Sequence, residues 1–145
     1  DIDDALAALM SWDFRAYVFP LTLETIRHID ALGLTVILSD GDAVYQPMKI
    51  EQSGIAAAVD GRVLVYPHKE EHLAEVCARF PARRYVLIDD KPRILAAGRA
   101  QLGDRAATVH VSYGKYAGET AAADHQPGMT IDRFSDLLGR SADGF

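Results

Sequence analysis

The sequence predicts an α/β fold built on a mostly parallel sheet. Three observations carry that prediction. Leu34-Thr35-Val36-Ile37-Leu38 and Tyr85-Val86-Leu87-Ile88 are continuous apolar runs of strand length. Such strands are buried on both faces, as in a parallel sheet covered by helices above and below. Between them lie segments with apolar residues at helical spacing, so helix and strand alternate along the chain. Finally, Ser39-Asp40-Gly41 and Asp89-Asp90 stand directly after the two runs. In open α/β sheets, ligands bind outside the carboxyl ends of the strands.

The elements follow in order. Ile2, Leu6, Leu9 and Met10 have helical spacing and predict a helix from Ile2 to about Trp12. Pro20, after Tyr17-Val18-Phe19, ends one element and permits another. Leu23, Ile26, Ile29 and Leu32 share one stripe, so Leu21–Leu32 is predicted helical with Gly33 as its stop. The strand Leu34–Leu38 runs into the turn Ser39-Asp40-Gly41-Asp42, and a helix is expected over Ala43–Gln52 despite Pro47. Asp60-Gly61 marks a turn before a short strand, Arg62–Tyr66. Pro67 precedes an expected helix over Lys69–Arg79. The strand Tyr85–Ile88 is followed by a helix from Pro92, which suits a first helical turn, to Gln101. Ala106–Val111 reads as a further core strand and Thr130–Leu138 as a short helix.

Composition narrows the functional classes. A chain of 145 residues fits one domain. With 49% hydrophobic and 25% charged residues, disorder and fibrous classes are excluded. Cys77 is the single cysteine, so no internal disulfide forms, in agreement with a reducing, cytoplasmic setting. The net charge of -6 argues against a nucleic-acid partner, which needs a basic face. No apolar run approaches the ~20 residues of a membrane helix, so no membrane partner is expected. Asp1, Asp3 and Asp4 stand where a secretory signal would be basic. The first residue is Asp1 rather than Met, which points to a segment upstream of it.

Four positions could carry chemistry. Asp89 and Asp90 repel each other unless a cation intervenes, and a hard divalent ion such as Mg²⁺ would do so. Alternatively, Asp90 caps the helix that begins at Pro92. Ser39, with the amides of Asp40 and Gly41, can hold an anion, or it belongs to an ordinary turn. Lys69 shares a stripe with Leu73, Val76 and Phe80, so it faces inward, where it needs an anionic partner or must snorkel. His68-Lys69-Glu70-Glu71-His72 also fits the H-x-x-E-H zinc pattern, but Pro67 puts His68 at the edge of the helix. Cys77 reads as a packed thiol, and His28 and His110 as structural or superficial.

In their order along the chain, these residues resemble the motifs of the haloacid dehalogenase (HAD) superfamily. Leu34–Gly41 (LTVILSDG) looks like motif II, Lys69 in Tyr66-Pro67-His68-Lys69 like motif III, and Val86–Asp90 (VLIDD) like motif IV. The resemblance extends from about Leu21 to Val111 and implies a Rossmann-like core. It implies that Ser39, Asp40 and Gly41 bind a phosphoryl group and that Lys69 bridges it to the nucleophile. It further implies that Asp90 ligates Mg²⁺, with Asp89 as second ligand or water-holder. The implied activity is that of a Mg²⁺-dependent phosphatase. It would act on a small phosphorylated metabolite through an aspartyl-phosphate.

One family feature is absent. Motif I, a hydrophobic strand ending D-x-D-x-T/V, should precede motif II and supply the nucleophile. Asp1-Ile2-Asp3-Asp4-Ala5 mimics it without a preceding strand. Residues 1–20 are therefore expected to be the end of a helical cap or a linker. Residues 21–145 are then the core without its first strand. Lacking that central strand, two apolar edges would go unpaired, so the 145 residues alone are expected to be inactive and poorly folded. The alternatives are a non-catalytic module binding a phospholigand or protein partner, and a hydrolase of carbon–halogen bonds. A receiver-like signalling domain needs its acidic pair before, not after, the Ser and Lys. Oligomeric state and substrate stay open.

Overall fold

Doubly buried apolar runs must pair on both sides, and one sheet satisfies them all. The computed structural model describes residues 6–11, 21–40, 54–112 and 127–141. Among the described residues there are six strands: β1 (Leu6–Ser11), β2 (Leu34–Asp40), β3 (Val63–Tyr66), β4 (Arg84–Asp89), β5 (Ala106–Val111) and β6 (Met129–Ile131). They lie in the order β3-β2-β1-β4-β5-β6, with every neighbouring pair parallel. The chain thus winds outward from β1 to β3 in one direction and from β4 to β6 in the other. The order reverses between β1 and β4, which is where an open α/β sheet forms its ligand crevice.

Helices cover both faces, because side chains of a strand alternate between them. The helices are α1 (Thr22–Leu32), α2 (Ile55–Ala58), α3 (Leu73–Arg79) and α4 (Pro92–Leu102). On one face Ala8, Met10, Ile37, Val86 and Ile88 pack with Ile26 and Ile29 of α1 and with Phe134 and Leu137. On the other, Leu9, Val36, Leu38 and Leu87 pack with Leu73 and Val76 of α3 and Leu95 of α4. Helix α4 lies so close to β4 that a Cβ on Gly98 would collide with Leu87 Cδ1.

Four expectations need correction. The helix expected over Ile2–Trp12 is instead β1 over its described part, residues 6–11. The centre of the sheet, expected to lack a strand, is occupied by β1, which pairs with β2 on one side and β4 on the other. The physical reason is the demand of two central strand edges for partners, which outweighs local helical spacing. The helix expected from Lys69 starts as a 3₁₀ turn, Lys69–His72, because His68 enters it in the left-handed region at φ 55°. The terminal helix expected over Thr130–Leu138 is the edge strand β6 followed by a 3₁₀ segment, Phe134–Gly139. The helix expected over Ala43–Gln52 lies outside the described residues. The other expected elements agree with their sequence signals, though β2 extends two residues further, through Ser39 and Asp40, and the short helix α2 had no counterpart among the expectations.

Candidate functional site

The carboxyl end of β4 is the chemical centre of the described residues. Four consecutive apolar residues, Tyr85–Ile88, hold the strand inside the core and carry it to Asp89 at the sheet's rim. The Asp89 carboxylate works in two directions. Its Oδ1 accepts the backbone N–H of Lys91 at 2.9 Å, which shapes the turn into α4. Its Oδ2 lies 3.0 Å from Lys69 Nζ, and the two side chains are only 5% and 3% exposed. Both charges are thus out of water, and removing either would strand the other.

Lys69 reaches this position from the short connection after β3. His68 adopts φ 55°, ψ 62°, a conformation that non-glycine residues rarely hold without surrounding support. Glu71 N–H donates to the His68 carbonyl at 2.9 Å, closing the turn. The inward-facing Lys69 inferred from the stripe is buried as expected, with Asp89 as its anionic partner. Beside the pair is a small cavity of about 20 Å³, bordered by Leu9, Leu38, Leu73 and Leu87 as well as Lys69 and Asp89. That is room for about one water molecule.

The other positions singled out from the sequence divide. Asp90 is buried and follows Asp89 at the rim. The N-cap of α4 is Lys91, and it is Asp89, not Asp90, that accepts the Lys91 amide. Ser39 is buried at the end of β2. By alternation it falls on the face of Ile37, the α1 side, whereas Asp89 falls on the face of Leu87, the α4 side. The ends of β2 and β4 are two strand spacings apart, roughly 10 Å. Lys69 and Asp89 are therefore in contact, while Ser39 stands across the rim. Asp40 closes β2 in register with Tyr66, and Gly41 lies outside the described residues.

The H-x-x-E-H reading is not assembled. The His72 ring stacks on Tyr66 with centroids 4.2 Å apart. Among the described residues, no group of three or more His, Cys, Asp or Glu side chains gathers to hold a metal. Asp89 and Asp90 do offer two hard oxygen donors. Mg²⁺ commonly takes only one or two carboxylates from a protein and completes its shell with water and phosphate, so this donor set fits that ion. Burial raises the Tyr66 phenol, reinforced by the Glu75 carboxylate. Burial likewise pushes the Cys77 thiol up, which agrees with a packed thiol rather than a nucleophile.

Sequence reasoning missed the residues that hold the pair. His110, set aside as structural or superficial, lies in register with Asp89 across β5 and β4. Its Nε2 donates to the Asp90 carbonyl at 3.1 Å. Alternation along Ala106, Thr108 and His110 was the available signal. Glu70 Oε1 accepts from Arg93 Nη1 at 3.1 Å, and the Glu70 carbonyl accepts from Gln101 Nε2 at 2.9 Å. No local pattern announces those two contacts, which join segments far apart in sequence.

Similar folds and sequences exist. A protein from Burkholderia xenovorans LB400 described as a haloacid dehalogenase-like hydrolase is 47% identical, with a TM-score of 0.78 over 87% of this chain. This chain spans 58% of that protein's length. The HAD-hydrolase YfnB from Bacillus subtilis, bound to magnesium, has a TM-score of 0.68 at 14% identity, covering 82% of this chain and 54% of its own. A haloacid dehalogenase-like family hydrolase from Xanthomonas campestris has a TM-score of 0.62 at 23% identity, covering 83% of this chain and 51% of its own. These last two show likeness of fold alone. No protein-family model and no curated protein matches the chain.

Proposed function

The chain belongs to the haloacid dehalogenase-like hydrolase superfamily, and from that premise we propose that the complete protein is a Mg²⁺-dependent phosphatase of small phosphorylated metabolites, working through an aspartyl-phosphate. The buried Lys69–Asp89 pair beside the point where strand order reverses carries this reading. An ammonium fixed there by a carboxylate can neutralise a phosphoryl group without reorganising, which is the main task in phosphoryl transfer. Ser39, across the rim at the end of β2, would hold phosphoryl oxygens together with the amides of Asp40 and Gly41. Asp90 would be the principal carboxylate for Mg²⁺, since Asp89 already answers to Lys69 and to the Lys91 amide. Bound Mg²⁺ would draw charge from the phosphoryl oxygens as the leaving bond breaks. The magnesium bound by YfnB supports this cofactor. No helix among the described residues is long and apolar enough to cross a membrane.

The attacking carboxylate is not in β1, whose residues Leu6–Ser11 include no acid. That observation also favours a second reading, a non-catalytic module that binds a phosphorylated ligand. One assay separates the two. The complete protein is incubated with p-nitrophenyl phosphate and MgCl₂, and phosphate release is followed. The phosphatase reading expects release that EDTA abolishes and that Lys69→Met or Asp90→Asn lowers by about 10² or more. Binding of Mg²⁺ and inorganic phosphate by calorimetry without release selects the binding module. Release indifferent to EDTA rejects the metal assignment.

A further inference from the structure

We infer that α4 positions Lys69, through Arg93 and Gln101 acting on Glu70. The inference rests on the proposed role of Lys69 and goes beyond it, since neither Arg93 nor Gln101 touches the reacting groups. Lys69 opens a 3₁₀ turn behind His68, whose φ of 55° is a strained conformation for a residue with a side chain. Such strain persists only where neighbouring contacts over-determine it. Within the described residues the turn is tied by Lys69 to Asp89, by Glu70 to Arg93, and by the Glu70 carbonyl to Gln101.

The last two ties come from opposite ends of one helix, Arg93 in the first turn of α4 and Gln101 in its last. The same helix begins directly after Asp89-Asp90, and its N-cap amide is held by Asp89. One rigid rod therefore grips both members of the pair. Any shift of α4 carries Asp89 and the Glu70 backbone together, which keeps Lys69 Nζ in register with its carboxylate.

Exposure separates positioning from stability. Arg93 is 61% exposed and Glu70 19% exposed. The pair is open to water at its Arg93 end and covered at its Glu70 end, so solvent screens what it adds to global stability. Its use is geometric, because it fixes the residue next to Lys69.

The test reads Lys69 itself, so it does not depend on turnover. The complete protein is labelled with trace acetic anhydride, and acetylation of Lys69 is measured by mass spectrometry against exposed Lys91 as internal reference. In the wild type Lys69 is protected. Arg93→Ala and Gln101→Ala are expected to raise the Lys69/Lys91 ratio about fivefold each, the scale of one exposed contact, with Tm nearly unchanged. The charge reversal Glu70→Arg with Arg93→Glu restores protection. An unchanged ratio in both single variants, or a rise at every lysine accompanied by a fall in Tm, overturns the inference. In a phosphate-release assay the same variants lower kcat and leave KM in place. Absence of release in the wild type would overturn the phosphatase reading and leave the labelling result standing.

Discussion

β1 and β4 are hydrogen-bonded neighbours in the middle of the same sheet, yet they come to be strands for different reasons. β4 reads Arg-Tyr-Val-Leu-Ile-Asp, with aromatic and β-branched side chains that suit a pleated surface. β1 reads Leu-Ala-Ala-Leu-Met-Ser, all of them residues at least as good in a helix, with none that is β-branched. Local preference and final place agree in β4 and conflict in β1. β1 is a strand because β2 and β4 each present an unpaired row of backbone groups, and its small Ala7 and Ala8 fit between the two covered faces. The chemistry divides the same way. β4 ends in Asp89 and holds Lys69, whereas β1 contributes pairing and no acid.

The largest expected effect lies at the end of β4. Lys69→Ala leaves the Asp89 charge buried and unanswered, at a cost of about 3–5 kcal/mol in denaturant unfolding. The double change Lys69→Met with Asp89→Leu should recover most of that loss. If the single variant unfolds like wild type, the pair is not the anchor of this region.

A smaller effect separates the two strands. Gly33 brings the chain so close to the start of β1 that a Cβ there would stand 2.5 Å from the Leu6 carbonyl oxygen. Gly33→Ala should therefore cost about 1–3 kcal/mol. Hydrogen exchange should locate the damage, with the amides of Ala8–Met10 exchanging faster and those of Val86–Ile88 still protected. Equal loss in both strands would mean that β1 and β4 open as one unit.

The smallest effect tests the conflict itself. Met10→Ile adds β-branching at nearly constant volume and should stabilise β1 by up to about 1 kcal/mol. Leu87→Ile in β4, where preference is already met, should gain nothing. A destabilised Met10→Ile would show that packing around Met10, not strand propensity, limits β1.

How much could be read without coordinates follows from the same contrast. Val36-Ile37-Leu38 and Val86-Leu87-Ile88 announce doubly buried strands because their side chains allow little else. The residues that end them, Ser39 and Asp89-Asp90, follow at once as rim residues of a parallel sheet. Lys69 was legible as an inward cation from its stripe, though not as the partner of Asp89. β6, read as part of a helix, is a three-residue edge strand that exists through its pairing with β5.

The sequence by itself determined the fold class, the two core strands and the order of the polar residues at their ends. These are properties of short segments, set by side-chain shape and hydrophobic spacing. Only the tertiary structure decided that Leu6–Ser11 is a strand, that Lys69 meets Asp89, and that Arg93, Gln101 and His110 stand around them. Those outcomes depend on which backbone edges lack partners and which distant side chains the sheet order brings to one rim, and neither is encoded within a local window of residues.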